Sequence, residues 1–214
     1  MPAADSASVL GVPVALWDFL RESCRLPAHA LHRLPPDELP PPAARLLAHD
    51  RDMTSTLAQF HGSPLRVEIL QQVRQDEIYL REVFLRTEDR DQVVEYGVIA
   101  VVWEHFTASQ REAILGGHGP LGGLLHQFQI RFTSAPTCFF AVDAALLTRL
   151  PFRTAAGVSC YGRFNQLAKP SGEAIAWAME ILPPAPVPRL LFPPPPPPPV
   201  PRLLSHPPTH AHPH

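Results

Sequence analysis

Two adjacent charged residues lie in the middle of the segment IYLREVFLR, residues 78–86. Side chains alternate between the two faces of a β-strand, so Arg81 and Glu82 point in opposite directions. Whichever face is buried then carries a charge among apolar neighbours, and a buried charge requires a partner or a ligand. The planar guanidinium of Arg81 can hold a carboxylate through two parallel hydrogen bonds. The segment predicts one of three settings for Arg81: an anion site, a cross-strand ion pair, or a side chain packed on the sheet with its head in water. It also predicts a structural role for Glu82.

A second carboxylate lies near the end of the segment EAIAWAMEIL, residues 173–182. Alternation places four residues on one face: Ala174, Ala176, Ala178 and Glu180. Small side chains leave space above a sheet, so this face predicts the floor of a cavity that holds a polar ligand near Glu180. The alternatives are an ion pair of Glu180 with Arg81 or Arg163, or a solvated carboxylate at the end of the strand.

The elements that must position these residues follow from the periodicity of apolar residues. Strands are predicted as an antiparallel meander at 65–74, 78–86 and 91–103, because the links are short and polar, and as a hairpin at 158–169 and 173–182. Helices are predicted at 14–25, between a cap at Asp52 or Thr54 and Gly62, at 107–115, and around LLHQF. Residues 131–157 show no clear pattern. We therefore expect an α+β fold, a single antiparallel β-sheet with helices packed on it.

The composition limits the class of protein. With 214 residues, 45% of them hydrophobic, the chain can form one domain with a sizeable core. A net charge of -2 gives no indication of nucleic acid or an anionic membrane as partner, and no apolar run approaches the roughly 20 residues that span a bilayer. Cys24, Cys138 and Cys160 form no CxxC pair, which argues against a zinc site or a disulfide framework. We expect a cytoplasmic protein without a metal.

Proline is unevenly distributed. The chain contains 28 prolines, and they make up about half of the residues from Pro183 onward. Such a segment cannot form a helix interior or a sheet ladder, so we predict a disordered Pro/His-rich tail at 184–214, either a proline-motif ligand or a segment without a specific role. Residues 1–44 are predicted to form an N-terminal helical segment followed by another proline-rich stretch, which serves as a linker. The main domain is predicted at 45–183.

Four segments in register carry a resemblance to a known family. They are DMT before a short helix, YLREVFL, GPLGGLL, and a final strand that ends in MEILP. From about Leu46 to Pro183 the chain resembles chorismate lyase and its wider superfamily in the order and approximate spacing of these segments. The resemblance implies a single antiparallel sheet with helices on it and an internal ligand site covered by a flap.

The resemblance also implies residue roles. Arg81 corresponds to the arginine that binds the substrate carboxylate, Glu180 to the glutamate that meets the ring oxygen of the aromatic product, and Met53 and Leu121 to the residues whose backbone N–H groups assist. The implied activity is a carbon–oxygen lyase, which eliminates pyruvate from chorismate to give 4-hydroxybenzoate without a cofactor, with Arg81 and Glu180 as catalytic residues. The sequence departs from the family on the penultimate strand, where Arg163 is the only arginine.

A second reading belongs to the same superfamily, a non-catalytic domain of the sensor type that binds an aromatic acid. Such domains are attached to winged-helix transcription regulators, and here the first 45 or so residues are broken by prolines and too short for a winged helix. On either reading we expect the protein to bind a small molecule, either chorismate or an aromatic acid, and not to bind nucleic acid. We also expect it to be a monomer.

Overall fold

The sheet at the centre of the molecule has seven antiparallel strands. A computed structural model describes residues 11–117, 119–151 and 157–184. The strands are β1 (His32–Leu34), β2 (Leu65–Gln75), β3 (Ile78–Thr87), β4 (Val93–Val102), β5 (Thr133–Asp143), β6 (Ser159–Ala168) and β7 (Ala174–Leu182). The helices are α1 (Val14–Glu22), α2 (Ala43–Leu47), α3 (Met53–His61), α4 (Ala108–Leu115) and α5 (Leu121–Gln127). The predicted α+β fold with a single antiparallel sheet is confirmed.

Two three-stranded meanders and the short edge strand β1 build this sheet, in the order β1-β5-β6-β7-β4-β3-β2. The β2-β3-β4 meander and the β6-β7 hairpin lie where the sequence predicts them, and β4 and β7 join the two halves. Strand β5, in contrast, falls in the region without a clear pattern. Pro136 lies inside it, next to a shift of register between Pro136 and Cys138. A proline and an irregular register weaken the alternation by which a strand is recognised.

The two faces of the sheet are covered differently. On one face, α1 buries its apolar stripe against β3 and β4, and this stripe consists of Leu16, Trp17, Phe19 and Leu20. On the other face, helices α2 to α5 contribute residues such as Leu57, Leu121 and Leu125 to two further clusters. Because Arg81 and Glu82 are neighbours in β3, each projects towards a different one of these layers.

The starts of α3 and α5 lie close together. Helix α3 begins after Asp52, whose side chain accepts a hydrogen bond of 2.8 Å from the backbone N–H of Ser55, and ends at Gly62 in the left-handed conformation. At the start of α5, a Cβ atom on Gly122 would lie 3.4 Å from the Cβ atom of Asp52. Glycine at this position therefore lets the two helix starts approach each other over the sheet.

The N-terminal part of the described chain also contacts the sheet. Helix α1 and strand β1 both precede residue 45, yet α1 is part of a core cluster and β1 pairs with β5. The division of the chain at 44/45 and at 183/184 stays a proposal. The predicted tail lies outside the described residues except for Pro184. None of the helices in the described ranges is long and apolar enough to span a bilayer.

Candidate functional site

A cavity of about 70 Å³ lies between the sheet and the first residues of α3 and α5. Apolar side chains from the sheet form much of its wall: Val67, Val83, Leu85, Ile99, Leu167 and Ala178. Its polar lining includes Arg81, Glu95 and Glu180 on the sheet. All three come from strands that lie side by side, β3, β4 and β7. The geometry thus brings Arg81 and Glu180 to the same cavity.

Arg81 is a buried cation with unused hydrogen-bond donors. Its residue is 3% exposed, and its Nη2 atom donates to the carbonyl oxygen of Gly119 at 3.4 Å. The Nε and Nη1 atoms have no hydrogen-bond partner, and no carboxylate of the described residues lies within ion-pair distance. Burial lowers the pKa of Arg81, an effect partly offset by the nearby phenol of Tyr79. The guanidinium therefore lines the cavity with two free donors.

Glu180 has a partner within the protein. The Nε atom of Arg163 donates to a carboxylate oxygen of Glu180 at 2.5 Å, and both residues are buried. The Nη1 atom of Arg163 donates in addition to the carbonyl oxygens of Leu47 and His49, each at 2.8 Å. The ion pair, one of the alternatives for Glu180, is what the structure shows. Arg163 balances the charge of Glu180, although Glu180 still lines the cavity.

Sequence reasoning missed a third charged residue, Glu95 on β4. It is 5% exposed, and its Oε2 atom has no hydrogen-bond partner in the described part of the chain. Burial, together with the carboxylate of Glu180, raises the pKa of Glu95 well above its usual value, against a smaller opposing effect of Arg163. The carboxyl group leans over Gly97, where a Cβ atom would lie 2.9 Å from Oε1. The same alternation test that singles out Arg81 would have found Glu95.

Met53 and Leu121 are the first residues of α3 and α5, and both line the cavity. Backbone N–H groups in the first turn of a helix lack an acceptor within the helix. The main chain at these two positions can therefore present donors at the rim of the cavity. Contacts of Met53 and Leu121 with a ligand stay a prediction.

Glu82, on the opposite face, is fully buried and satisfied. Its carboxylate accepts hydrogen bonds from the hydroxyl of Tyr96 at 2.6 Å and from Nε2 of Gln71 at 2.7 Å, and Arg149 lies 3.6 Å away. The two neighbouring charges of β3 thus differ. Glu82 has protein partners beneath α1, whereas Arg81 has two donors free.

Unpaired polar atoms are concentrated at the cavity. In the described ranges, four buried side-chain nitrogen or oxygen atoms lack a partner, and they are Nε and Nη1 of Arg81, Oε2 of Glu95 and Nη2 of Arg163. Two of these residues line the cavity, and the third bonds to Glu180, which does. Buried polar groups are nearly always paired, so such a group of exceptions indicates a place for a ligand. No cluster of three His, Cys, Asp or Glu residues that could hold a metal occurs in this part of the chain.

No family model and no curated protein matches the chain. Among solved structures, it is similar to PhnF from Mycobacterium smegmatis, at 14% identity over 85% of each chain and a TM-score of 0.48. It is also similar to the possible transcriptional regulator YydK from Bacillus subtilis, at 10% identity over 86% of this chain and 84% of that chain, TM-score 0.44. A third is the ligand-binding domain of a candidate GntR-family transcriptional regulator from Bordetella bronchiseptica, at 13% identity over 56% of this chain and 83% of that chain, TM-score 0.39.

The expectation of a carbon–oxygen lyase is wrong. None of these structures is described as a lyase, and two are described as a transcriptional regulator or the ligand-binding domain of one. The geometry gives the physical reason. The carboxylate of Glu180 is held by Arg163, so it is not a free base.

Proposed function

We propose that this protein is a non-catalytic binding domain, of the sensor type, for a small carboxylic acid with an aromatic body. The observation that carries this proposal is the guanidinium of Arg81, which is buried, has two unused donors and lines a cavity. Taking a charge out of water costs several kcal/mol unless it is paired. A ligand carboxylate would supply the missing partner, in a two-point contact with Nη2, which carries a second hydrogen, and one of the two free donors beside it.

The charge balance of the cavity favours a ligand with one negative charge. Arg163 and Glu180 neutralise each other, and the raised pKa of Glu95 favours its neutral form. Arg81 is then the uncompensated charge among the ionisable groups that line the cavity from the sheet. A single carboxylate would pair with Arg81, which has no ion-pair partner in the described residues, whereas a cation would meet Arg81 with like charge.

The walls of the cavity favour a flat apolar body. Ala178 on β7 and Gly97 on β4 are diagonal neighbours and leave the sheet surface low, while the side chains of Val83, Ile99 and Leu167 surround that surface. Ligand pockets combine such apolar walls with a few well-placed polar groups. A volume of about 70 Å³ admits only a small molecule. A benzoate-like acid combines a flat apolar ring with one carboxylate.

Binding can be measured by isothermal titration calorimetry of the full chain with benzoate and with 4-hydroxybenzoate. We expect 1:1 binding that Arg81→Met weakens by about 100-fold or more, since two charge-assisted hydrogen bonds are lost. The matched control is Arg86→Met. This arginine belongs to the same strand but pairs with Glu68 and Asp91, so affinity should stay unchanged.

Two outcomes would contradict the proposal. One is the absence of binding by either acid at millimolar concentration. The other is equal affinity of the wild type and Arg81→Met. The non-catalytic part is tested separately, by incubation with chorismate, and pyruvate release above that of buffer would refute it.

A further inference from the structure

We propose that residues 187–192 of this chain, VPRLLF, dock into an apolar groove at one end of the sheet. These residues follow shortly after Pro184, the last described residue. They overlap the first of two identical hexamers, PVPRLL, which occupy positions 186–191 and 199–204. The groove shares no lining residue with the cavity at Arg81, so this docking does not require the proposed function.

The groove has a volume of about 550 Å³ and lies where three strands begin or end. The starts of β4 and β6 and the end of β7 form one side of it, and α2, α3 and the prolines just before α2 form the other. Its lining within the described ranges contains no Asp, Glu, Lys or Arg residue. Pockets that bind a ligand measure roughly 300–1,000 Å³, so the groove has room for several side chains of a peptide.

Aromatic side chains line the groove and are open to water. Phe60, near the end of α3, is 42% exposed, and Tyr161 of β6 is half-buried. Burial lowers the pKa of His61, with a smaller contribution from the charge of Arg90, so the neutral imidazole is favoured. Grooves lined by aromatic residues bind proline-rich segments, whose extended conformation is largely formed before binding. The surface therefore suits an apolar segment that contains proline.

The chain itself leads into the groove. Pro183 and Pro184 are half-buried and line it, and Ala185 is the only residue between Pro184 and the first hexamer. A segment on so short a tether has an effective concentration in the millimolar range. A contact that is too weak to hold a free peptide can therefore be populated within one chain.

Position and composition favour the first hexamer over the second. Residues 187–192 contain four large apolar side chains whose removal from water would stabilise the contact, and these are Val187, Leu190, Leu191 and Phe192. The second hexamer lacks the phenylalanine and begins at the end of a run of seven prolines, 193–199. Such a run favours the extended polyproline conformation, at about 3.1 Å per residue, so it spans roughly 20 Å. It would carry the second hexamer away from the groove.

The duplicated hexamer supplies an internal control for the test. Each copy contains one Arg–Leu bond within the same six residues, after Arg189 and after Arg202. Trypsin is added to the full chain, and mass spectrometry at early times gives the rate of cleavage at each bond. A docked bond is cleaved only while its segment is out of the groove, so we expect cleavage after Arg189 to be about threefold or more slower than after Arg202. A threefold difference corresponds to about 0.65 kcal/mol, so the contact should add little to Tm.

Phe60→Ser removes an exposed aromatic ring from the groove and should bring the two rates within about 1.5-fold of each other. The matched control is Leu115→Ser, because Leu115 at the end of α4 is 44% exposed but does not line the groove. This variant should leave the ratio of the two rates unchanged. Both side chains are exposed, so neither substitution should prevent folding.

A fluorescein-labelled peptide, APVPRLLF, measures the groove by fluorescence anisotropy. The triple variant Leu190→Ser, Leu191→Ser, Phe192→Ser keeps the full length of the chain but removes the apolar side chains that would compete. We expect this variant to bind the peptide about threefold or more tightly than the wild type, whose own segment occupies the groove for part of the time.

Several results would overturn the proposal. One is equal cleavage at the two bonds of the wild type, or slower cleavage after Arg202. Another is an unchanged ratio in Phe60→Ser, since closeness to the folded domain would then explain the protection of Arg189. A ratio that rises with protein concentration would assign the groove to the tail of a second copy. Equal binding of the peptide to the wild type and the triple variant would mean that the chain's own tail does not occupy it.

Discussion

Replacement of Arg81 by methionine should stabilise the ligand-free protein while it destroys binding. Methionine keeps the apolar stem and removes two unpaired donors, each of which costs about 1–3 kcal/mol when buried. Against this, one long hydrogen bond of 3.4 Å to Gly119 is lost. We expect a net gain of about 2 kcal/mol in the free energy of unfolding. For a chain of this length, that corresponds to a rise of about 4–8 °C in Tm.

The order of stability should reverse when ligand is present. A ligand at 100 times its Kd stabilises the wild type by about 2.7 kcal/mol, whereas a variant with a 100-fold higher Kd gains only about 0.4 kcal/mol. In thermal unfolding without 4-hydroxybenzoate, Arg81→Met should therefore have the higher Tm. With 4-hydroxybenzoate present, the wild type should have the higher Tm. A binding function explains this pattern, because a site can retain a buried guanidinium that lowers the stability of the ligand-free protein but is needed to hold the ligand.

Arg163→Met is the control for this experiment, because Arg163 is buried on the same sheet but is bonded to the carboxylate of Glu180 and to the carbonyl oxygens of Leu47 and His49. Removal of one partner of a buried ion pair should lower stability by about 3–5 kcal/mol. If Arg81→Met lowers Tm to a similar extent, Arg81 has a structural partner, and the reasoning from its free donors is refuted.

Three further predictions concern stability. The folded-state pKa of Glu95 is raised, so its stabilising contribution is complete below the unfolded pKa of about 4.3 and is lost as pH rises through the folded pKa. Glu95→Gln should therefore match the wild type in urea unfolding at pH 4 and exceed it at pH 8, and an equal difference at both pH values would contradict this. In Gly162→Ala, the new Cβ atom would lie 2.7 Å from the carbonyl oxygen of Glu180, so a loss of about 2 kcal/mol or more is expected by chemical denaturation. Gly123→Ala, which meets nothing within 4 Å, should change little by the same measurement. Deletion of everything after Pro184 should leave Tm within about 2 °C, and unfolding of the truncated chain would show that the domain boundary is wrong.

Local pattern was sufficient for much of the fold. Strands β2, β3, β4, β6 and β7 follow from alternation, and Asp52, the cap of α3, is one of the two cap residues that residue type predicted. These features depend on neighbours within a few positions of the chain. Strand β5 could not be recognised, because Pro136 and a shift of register interrupt its alternation.

The sequence by itself determined that Arg81 and Glu82 point to opposite faces of one strand, since alternation is a property of the backbone. Only the tertiary structure decided which of these charges is satisfied, which carboxylate Arg163 neutralises, and that Glu95 belongs to the cavity at all. These outcomes depend on the register between β3, β4, β6 and β7 and on how deeply the helices bury each group. Pairing across strands and the loss of water are set by distances in space, and residues 81, 95, 163 and 180 become neighbours only when the sheet is complete.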